Sequence, residues 1–334
     1  MKTNFVKLRW LFTMLLFVTT MIMPTMMLAK SIDLKIPEGD GAGTPYKIGT
    51  AEELYWFAGL VNGTLPGVKK DLSANAILTD DIIVSTGVLD PNKDLVSGND
   101  FIEWIPIGKS SSDDDAYTGT FDGNGHTISG LYFNKSNSWY VGLFGCIGAE
   151  GKIFNVGVSD SYFQSSNCPY IGGVCGSNSG ELQNCSNSST VIGKENEYRI
   201  GGVCGYNYGG TIKSCYNTAS VSGQSSVGGV SGSLGSDVTN CYYLSGTVAD
   251  GKSGIGGQKD ENGKAEKMSL EQFKSGEVAW LLNGSKSVST EESTLAWYQK
   301  LDENADAYPV LKSTDHNTVY KAPPLLLRRD NPYW

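Results

Sequence analysis

Two runs of aspartates are the residues whose type and spacing first suggest chemistry. Asp80 and Asp81 stand together, and Asp113, Asp114 and Asp115 follow three serines. Carboxylates that converge on one face of a fold hydrolyse glycosidic bonds in many enzymes, and clustered carboxylates also bind calcium. The simpler interpretation is a turn before a strand for the first run and a solvated loop for the second. We therefore expect neither run to form a catalytic or calcium site.

A phosphate-binding pattern occurs at residues 246–253, which read GTVADGKS and match GxxxxGK[ST]. This pattern binds phosphate only when a helix begins at its lysine, because the first amides of that helix hold the phosphate oxygens. Residues 254–257, GIGG, are poor helix formers.

The two histidines, His126 and His316, form no HExxH zinc motif, and His126 lies in a glycine-rich turn. These motifs thus predict no cofactor, no metal site and no catalytic residue.

Repeats of about 30 residues are the elements that must position any functional group. Residues 171–176 and 200–205 both read IGGVCG, residues 227–232 read VGGVSG, and residues 142–145 read GLFG. One such unit cannot bury its own apolar face. Stacked coils can, because each strand pairs with its equivalent in the next coil. The repeats therefore predict an all-β fold, a right-handed parallel β-helix.

Stacking places equivalent residues of successive coils in ladders, about 4.8 Å apart. The sequence predicts two interior ladders and one polar ladder: Phe144, Cys175, Cys204 and Ser231; Val156, Cys185, Cys215 and Cys241; Asn155, Asn184, Ser214 and Asn240. All seven cysteines lie within the repeats, and an odd number leaves at least one thiol unpaired within the chain. Three interpretations stay open: buried thiols that pack the interior, disulfides between coils, or a metal site.

Tyrosines offer the best candidate binding surface. Tyr216 and Tyr242 directly follow ladder cysteines, so strand alternation points them outward. Together with Tyr206, Tyr208 and Tyr243 they are predicted to form an aromatic stripe that stacks on sugars or packs against a protein partner. The alternative is that these tyrosines only support their strands.

The repeats resemble the GLUG motif of bacterial secreted and surface proteins. The resemblance rests on residues 142–145, on the two GGVCG segments and on the Asn-Cys or Ser-Cys positions that follow them. It extends to residues 104–108 and 119–128, and covers about residues 45–250. It implies a solenoid but no particular reaction. Some relatives are domains of immunoglobulin A peptidases, which are zinc enzymes, but this chain lacks their HExxH motif.

Both ends of the repeats have the sequence of caps. Residues 50–53, TAEE, predict a capping box before an amphipathic helix that covers the open end of the stack. Residues 76–78 and 82–84 are predicted as the first strands. Residues 269–272, SLEQ, predict a second capping box, and residues 308–311 suggest a small strand near the end.

The first 29 residues predict export, since a basic start precedes an apolar stretch that is short for a membrane span. The net charge of −9 argues against nucleic acid and anionic membranes as partners. The predicted organisation is a signal peptide (1–29), an N-terminal cap with the first strands (30–103), the GLUG-type repeats (104–257), a small α+β C-terminal cap (258–321) and a tail (322–334).

These observations together predict an exported, non-enzymatic surface or secreted protein for adhesion, binding or display. Its partner is expected to be a host or environmental glycan or a surface protein. The alternative is a polysaccharide-active enzyme, a lyase or glycosidase, built on the same solenoid. Acidic or basic residues that converge on one face would favour that alternative.

Overall fold

The computed structural model describes residues 32–311, except 98–99, 111, 113, 168, 195–198, 234–236, 262, 286–294 and 302–303. In this part of the chain, short parallel strands stack into three sheets, and helices occur only outside the repeats. The predicted parallel β-helix with helical caps is confirmed. No helix in the described ranges is long and apolar enough to cross a membrane. The predicted signal peptide and tail lie outside the described residues.

The strands of all three sheets pair in parallel, which is the signature of a coil stack. The first sheet has the spatial order β1 (Tyr46–Ile48), β2 (Ala76–Leu78), β4 (Thr120–Asp122), β9 (Lys152–Phe154), β13 (Glu181–Gln183), β17 (Thr211–Lys213) and β21 (Val238–Thr239). The second sheet has the order β24 (Ala265–Met268), β22 (Cys241–Leu244), β18 (Tyr216–Asn217), β14 (Ser186–Lys194), β10 (Gly157–Ser166), β5 (Thr127–Ser129) and β3 (Ile82–Ile83), with β19 (Val221–Ser222) beside β14 and β6 (Tyr132–Ser136) beside β10. The third sheet has the order β7 (Tyr140–Val141), β11 (Tyr170–Gly172), β15 (Arg199–Gly201), β20 (Ser226–Ser231), β16 (Cys204–Asn207), β12 (Cys175–Asn178) and β8 (Phe144–Ile147), with β23 (Ser253–Ile255) beside β20.

The register of the third sheet follows the sequence repeats. Cys175 pairs with Phe144 on one side and with Cys204 on the other, and Cys204 pairs with Ser231. All four side chains are fully buried. One strand, β1, precedes the strands that the sequence indicated as the first, because residues 46–48 pair with β2 and place Ile48 in the core.

Three asparagines and a serine occupy the tight corner within each coil where the chain passes from the first sheet to the second. Asn155, Asn184, Ser214 and Asn240 have φ values of 55°, 53°, 52° and 49°. This left-handed region suits asparagine better than most side chains. Asn184 Nδ2 donates to Asn155 Oδ1 at 3.0 Å, and Asn155 Nδ2 donates to Asp122 Oδ1 at 3.1 Å. Side-chain hydrogen bonds thus connect three successive coils.

Helix α1 (Ala51–Asn62) packs against the first coils. Thr50 caps it by accepting a hydrogen bond from the backbone N–H of Glu53 at 3.3 Å, and Gly63 ends it in the left-handed conformation. In a capping box the Glu53 carboxylate would accept a hydrogen bond from the backbone N–H of Thr50. Here it accepts one from the backbone N–H of the preceding residue, Gly49. Residues 53–62 are all buried, so the helix is enclosed on more than its one apolar face.

The C-terminal segment, meaning the described residues between 269 and 311, adds two short helices, α2 (Leu270–Lys274) and α3 (Glu277–Leu282). Ser269 and Gln272 form the predicted capping box, with both reciprocal hydrogen bonds present. An antiparallel bridge joins Tyr298 to Val310. This segment forms its own small apolar cluster on the second sheet.

Candidate functional site

The described cysteines fill the interior and form no accessible site. All of them are buried and unpaired, and Cys168 lies outside the described residues. Burial raises the pKa of Cys175, Cys185 and Cys241 well above the ordinary value, so these groups remain thiols at neutral pH. In the described ranges, no group of three His, Cys, Asp or Glu residues is placed to hold a metal ion. The geometry corresponds to thiols used for packing.

Three of the five tyrosines predicted for an exposed stripe are buried, so that prediction is wrong for Tyr243, which lies in the core, and for Tyr216 and Tyr242. The exposed fractions of Tyr216 and Tyr242 are 6 % and 2 %. Tyr216 donates its hydroxyl to the carbonyl oxygen of Pro309 at 2.7 Å, and its ring centroid lies 5.1 Å from that of Trp297. Alternation does place Tyr216 and Tyr242 away from the interior cysteines. The C-terminal segment then covers them.

The other two tyrosines belong to a row of aromatic rings associated with the third sheet. The rings of Tyr140, Tyr170 and Tyr206 stack in succession, with 5.3 Å between centroids in each pair and interplanar angles of 26° and 21°. Tyr208 continues the row at 5.4 Å and is 61 % exposed. Because Tyr140 pairs with Tyr170 across adjacent strands, the coil spacing sets the ring spacing. We define the aromatic ridge as Trp139, Tyr140, Tyr170, Arg199, Tyr206 and Tyr208.

Arg199 is the cation of the aromatic ridge. It occupies the position that follows Tyr140 and Tyr170 in the same ladder. Its guanidinium carbon lies 4.1 Å from the ring centroid of Tyr206 and 5.5 Å from that of Tyr170, and its Nη1 donates to the Tyr170 hydroxyl at 3.4 Å. No carboxylate of the described residues forms an ion pair with it. The rings therefore hold the guanidinium, which keeps N–H donors for an external acceptor.

A groove of about 340 Å³ adjoins the first residues of the aromatic ridge. Trp139 lines it and is 65 % exposed. Lys109 and Lys135 also line it. Lys109 Nζ donates to the carbonyl oxygen of Asn62 at 2.6 Å, and Lys135 Nζ lies 3.2 Å from a Glu103 carboxylate oxygen. The groove thus combines an exposed indole ring with two ammonium groups.

A second groove, of about 310 Å³, lies over the second sheet. Serines of successive coils line it, among them Ser159 and Ser188, which are paired in adjacent strands. Asp81, one of the candidate carboxylates, also lines it. Its Oδ1 lies 3.3 Å from Nδ1 of His126 and accepts a hydrogen bond from the backbone N–H of Thr127 at 2.8 Å. The described lining contains this one carboxylate, whereas the usual glycosidase mechanism needs two.

The remaining acidic candidates are engaged locally or fall outside the described residues. Asp115 forms an ion pair with Lys70 at 2.5 Å, and this partner lowers the pKa of the Asp115 carboxyl. Lys70 also donates to the carbonyl oxygen of Asp114. Asp113 lies outside the described residues. The lysine of the phosphate-loop pattern is followed by strand β23, not by the helix that phosphate binding requires.

Sequence reasoning missed four members of the aromatic ridge. A usable signal was present, because Tyr140, Tyr170 and Arg199 each stand directly before the Val-Gly or Ile-Gly step of their repeat. The strand pairing shows that these positions are equivalent. Trp139 has no such repeat signal, and only its exposure beside Tyr140 identifies it.

Comparison with known proteins agrees with the repeat pattern. The sequence model of the GLUG motif matches residues 196–222, which confirms the resemblance. Halomucin of Haloquadratum walsbyi is 38 % identical over 97 residues, which is 29 % of this chain and 1 % of that protein. A protein of Evansella cellulosilytica, provisionally named a Gly-rich membrane protein, is 33 % identical over 84 residues, which is 25 % of this chain and 9 % of that protein. The chain thus spans a small part of both relatives.

Among solved structures, one similar chain comes from Bacteroides ovatus and is provisionally named an immunoglobulin A1 protease. Its TM-score is 0.46 at 16 % identity, over 81 % of this chain and 93 % of that one.

Proposed function

We propose that this GLUG-motif repeat protein is an exported surface or secreted module that binds or displays a ligand without catalysing a reaction. The observation that supports the proposal is the aromatic ridge. Its stacked rings and its guanidinium lie on the outside of a coil stack, where the strand register fixes their spacing. Such a surface is already ordered before a ligand arrives, which reduces the entropy lost on binding.

The residue types of the aromatic ridge suit adhesion. Tyrosine and tryptophan offer a large apolar face together with a polar group, and both are common where a protein meets a partner. Trp139 and Tyr208 are the most exposed rings of the set. The burial of a comparable tyrosine, Tyr216, under the C-terminal segment indicates that the fold covers other outward rings but leaves these accessible.

The proposed location is the cell surface or the extracellular medium. The support is the export signal predicted in residues 1–29, together with relatives named as a halomucin and a membrane protein. A direct check is to express the full chain in a bacterial host and to sequence the N-terminus of the mature protein. Cleavage close to residue 29 is expected, and an intact N-terminus in the cytoplasm would contradict the proposal.

A polysaccharide-active enzyme is the second candidate, and one observation favours it. The Asp81 carboxylate and the His126 imidazole lie 3.3 Å apart beside a groove that half-buried serines line. A carboxylate next to an imidazole is a common arrangement for general base catalysis. This candidate predicts that a glycan is consumed and that Asp81→Asn abolishes its consumption.

A glycan-array screen of the mature protein separates the two candidates when binding and loss of substrate are scored on the same samples. We expect binding without loss of substrate. Tyr206→Ala/Tyr208→Ala is expected to lose binding, whereas Asp81→Asn is expected to retain it. Consumption of any glycan would refute the non-enzymatic proposal. Failure to bind any glycan would refute a glycan-adhesive role.

A further inference from the structure

We infer that the aromatic ridge binds an acidic polysaccharide, whose carboxylate or sulfate groups are held by Arg199. The inference rests on the proposed function and deepens it by naming the ligand class. It depends on the charges around the ridge, on the spacing of its residues and on which rings have uncovered faces.

The described lining of the groove beside the aromatic ridge contains Lys109 and Lys135 and no carboxylate. The chain carries −9, with 35 acidic and 26 basic residues. Outside this lining, Glu103 forms an ion pair with Lys135, and Asp115 forms one with Lys70. A cationic site on an acidic protein directs an anionic polymer to that site and away from the rest of the surface.

Arg199 and Lys109 supply the cations that remain. Within the described residues, neither has a carboxylate partner at ion-pair distance. A guanidinium presents a planar set of N–H donors that matches carboxylate and sulfate oxygens. The guanidinium carbon lies 4.1 Å from the Tyr206 ring centroid, and this contact restrains the side chain, so less side-chain entropy is lost when an anion binds.

The spacing suits a linear polymer. Tyr140, Tyr170 and Arg199 are equivalent positions of three successive coils, and so span about 10 Å along the stack. The three stacked tyrosines partly cover one another's faces. Trp139 and Tyr208 are more exposed and offer ring faces on which sugars stack. A polysaccharide with regularly spaced acidic groups matches this arrangement, because its acidic groups suit the Arg199 guanidinium and its sugar rings suit the exposed faces of Trp139 and Tyr208.

The test compares acidic polymers with neutral polymers of the same backbone. Polygalacturonate is paired with its fully methyl-esterified form, and dextran sulfate is paired with dextran, so the two arms distinguish carboxylate from sulfate. Affinity of the mature protein is measured at low and at high salt. We expect at least one acidic polymer to bind more than about tenfold tighter than its neutral counterpart, and salt to weaken that binding.

Arg199→Gln is the central variant, and Lys213→Gln is its matched control because it removes the same charge from an exposed position on the first sheet. Arg199→Gln is expected to lower affinity for the acidic polymer about tenfold, which corresponds to one charge-assisted hydrogen bond. Arg199→Lys is expected to restore part of it, since the charge returns without the planar donor set. Urea unfolding verifies that each variant is folded.

Several results would overturn the inference. Equal affinity for the acidic and neutral polymers would do so, as would an equal loss in Lys213→Gln and Arg199→Gln. If polyglutamate displaces the bound polysaccharide as effectively as the free polysaccharide does, the surface binds anionic polymers in general and the inference of a polysaccharide ligand is refuted. If neutral glycans bind and Arg199→Gln leaves their affinity unchanged, only this inference is refuted. If no glycan binds at all, the adhesive role is refuted as well.

Discussion

Replacement of Gly201 by alanine tests how closely the coils pack. A Cβ on Gly201 would lie 2.1 Å from the carbonyl oxygen of Cys204, 2.7 Å from the nitrogen of Gly232 and 2.8 Å from the Cα of Ser231. All three are backbone atoms, so none can rotate away as a flexible side chain would. The Cys204 carbonyl belongs to the same coil as Gly201, so the methyl group distorts the corner between β15 and β16. Ser231 and Gly232 belong to the next coil, so the methyl group also weakens the pairing of β15 with β20.

The magnitude follows from this geometry. Overpacking of a well-packed interior costs about 1–3 kcal/mol, and we expect Gly201→Ala to reach about 3 kcal/mol because only backbone surrounds the new methyl group. Gly209→Ala is the matched control. Its φ is 78°, and a Cβ there would have no atom within 4 Å. Its penalty is therefore conformational only, about 1 kcal/mol.

Urea unfolding followed by circular dichroism measures both variants. We expect the midpoint of Gly201→Ala to fall about three times as far as that of Gly209→Ala, with a similar dependence on urea concentration. An unchanged midpoint for Gly201→Ala would refute the close packing of the coils. A larger loss in Gly209→Ala would show that backbone conformation, not coil spacing, limits stability.

Three further predictions concern buried groups. The described cysteines should resist alkylation in the native protein at pH 8 and react after denaturation, and modification of native Cys204 detected by mass spectrometry would contradict their burial. Burial raises the pKa of Cys146 from its ordinary 9.0 to about 12, so its neutral form is favoured in the fold. The stability this thiol contributes should be complete below pH 9 and decline as pH rises toward 12, and a urea midpoint that stays constant from pH 9 to 11 would disagree. Trp297→Phe removes the 3.0 Å hydrogen bond from Nε1 to the Ser214 carbonyl, and should lower the free energy of unfolding by about 1–2 kcal/mol, while an unchanged value would show that water replaces the bond.

The fold could be predicted because its determinants are local and repeated. The IGGVCG units place Cys175 and Cys204 at equivalent positions, and the pairing of these residues follows from stacking. The helix caps at Thr50 and Ser269 were also visible, since capping depends on residues only three apart.

The site could not be predicted to the same degree because it depends on long-range packing. Tyr216 is covered by Trp297 and Pro309, which lie far along the chain, and no pattern near Tyr216 signals that cover. The aromatic ridge depends on register between coils of unequal length. The equivalence of Tyr170 and Arg199 is therefore clear from strand pairing but easily missed in the sequence.

The most direct test of the account compares two double variants in glycan binding and urea unfolding. Tyr206→Ala/Tyr208→Ala is expected to lose binding and to unfold near the wild-type midpoint, because Tyr208 is exposed and Tyr206 half-buried. Tyr216→Ala/Tyr242→Ala is expected to lose at least about 3 kcal/mol of stability and to retain binding while folded, because both rings are buried beneath the C-terminal segment. Loss of binding in the second variant alone, with stability unchanged, would contradict the account.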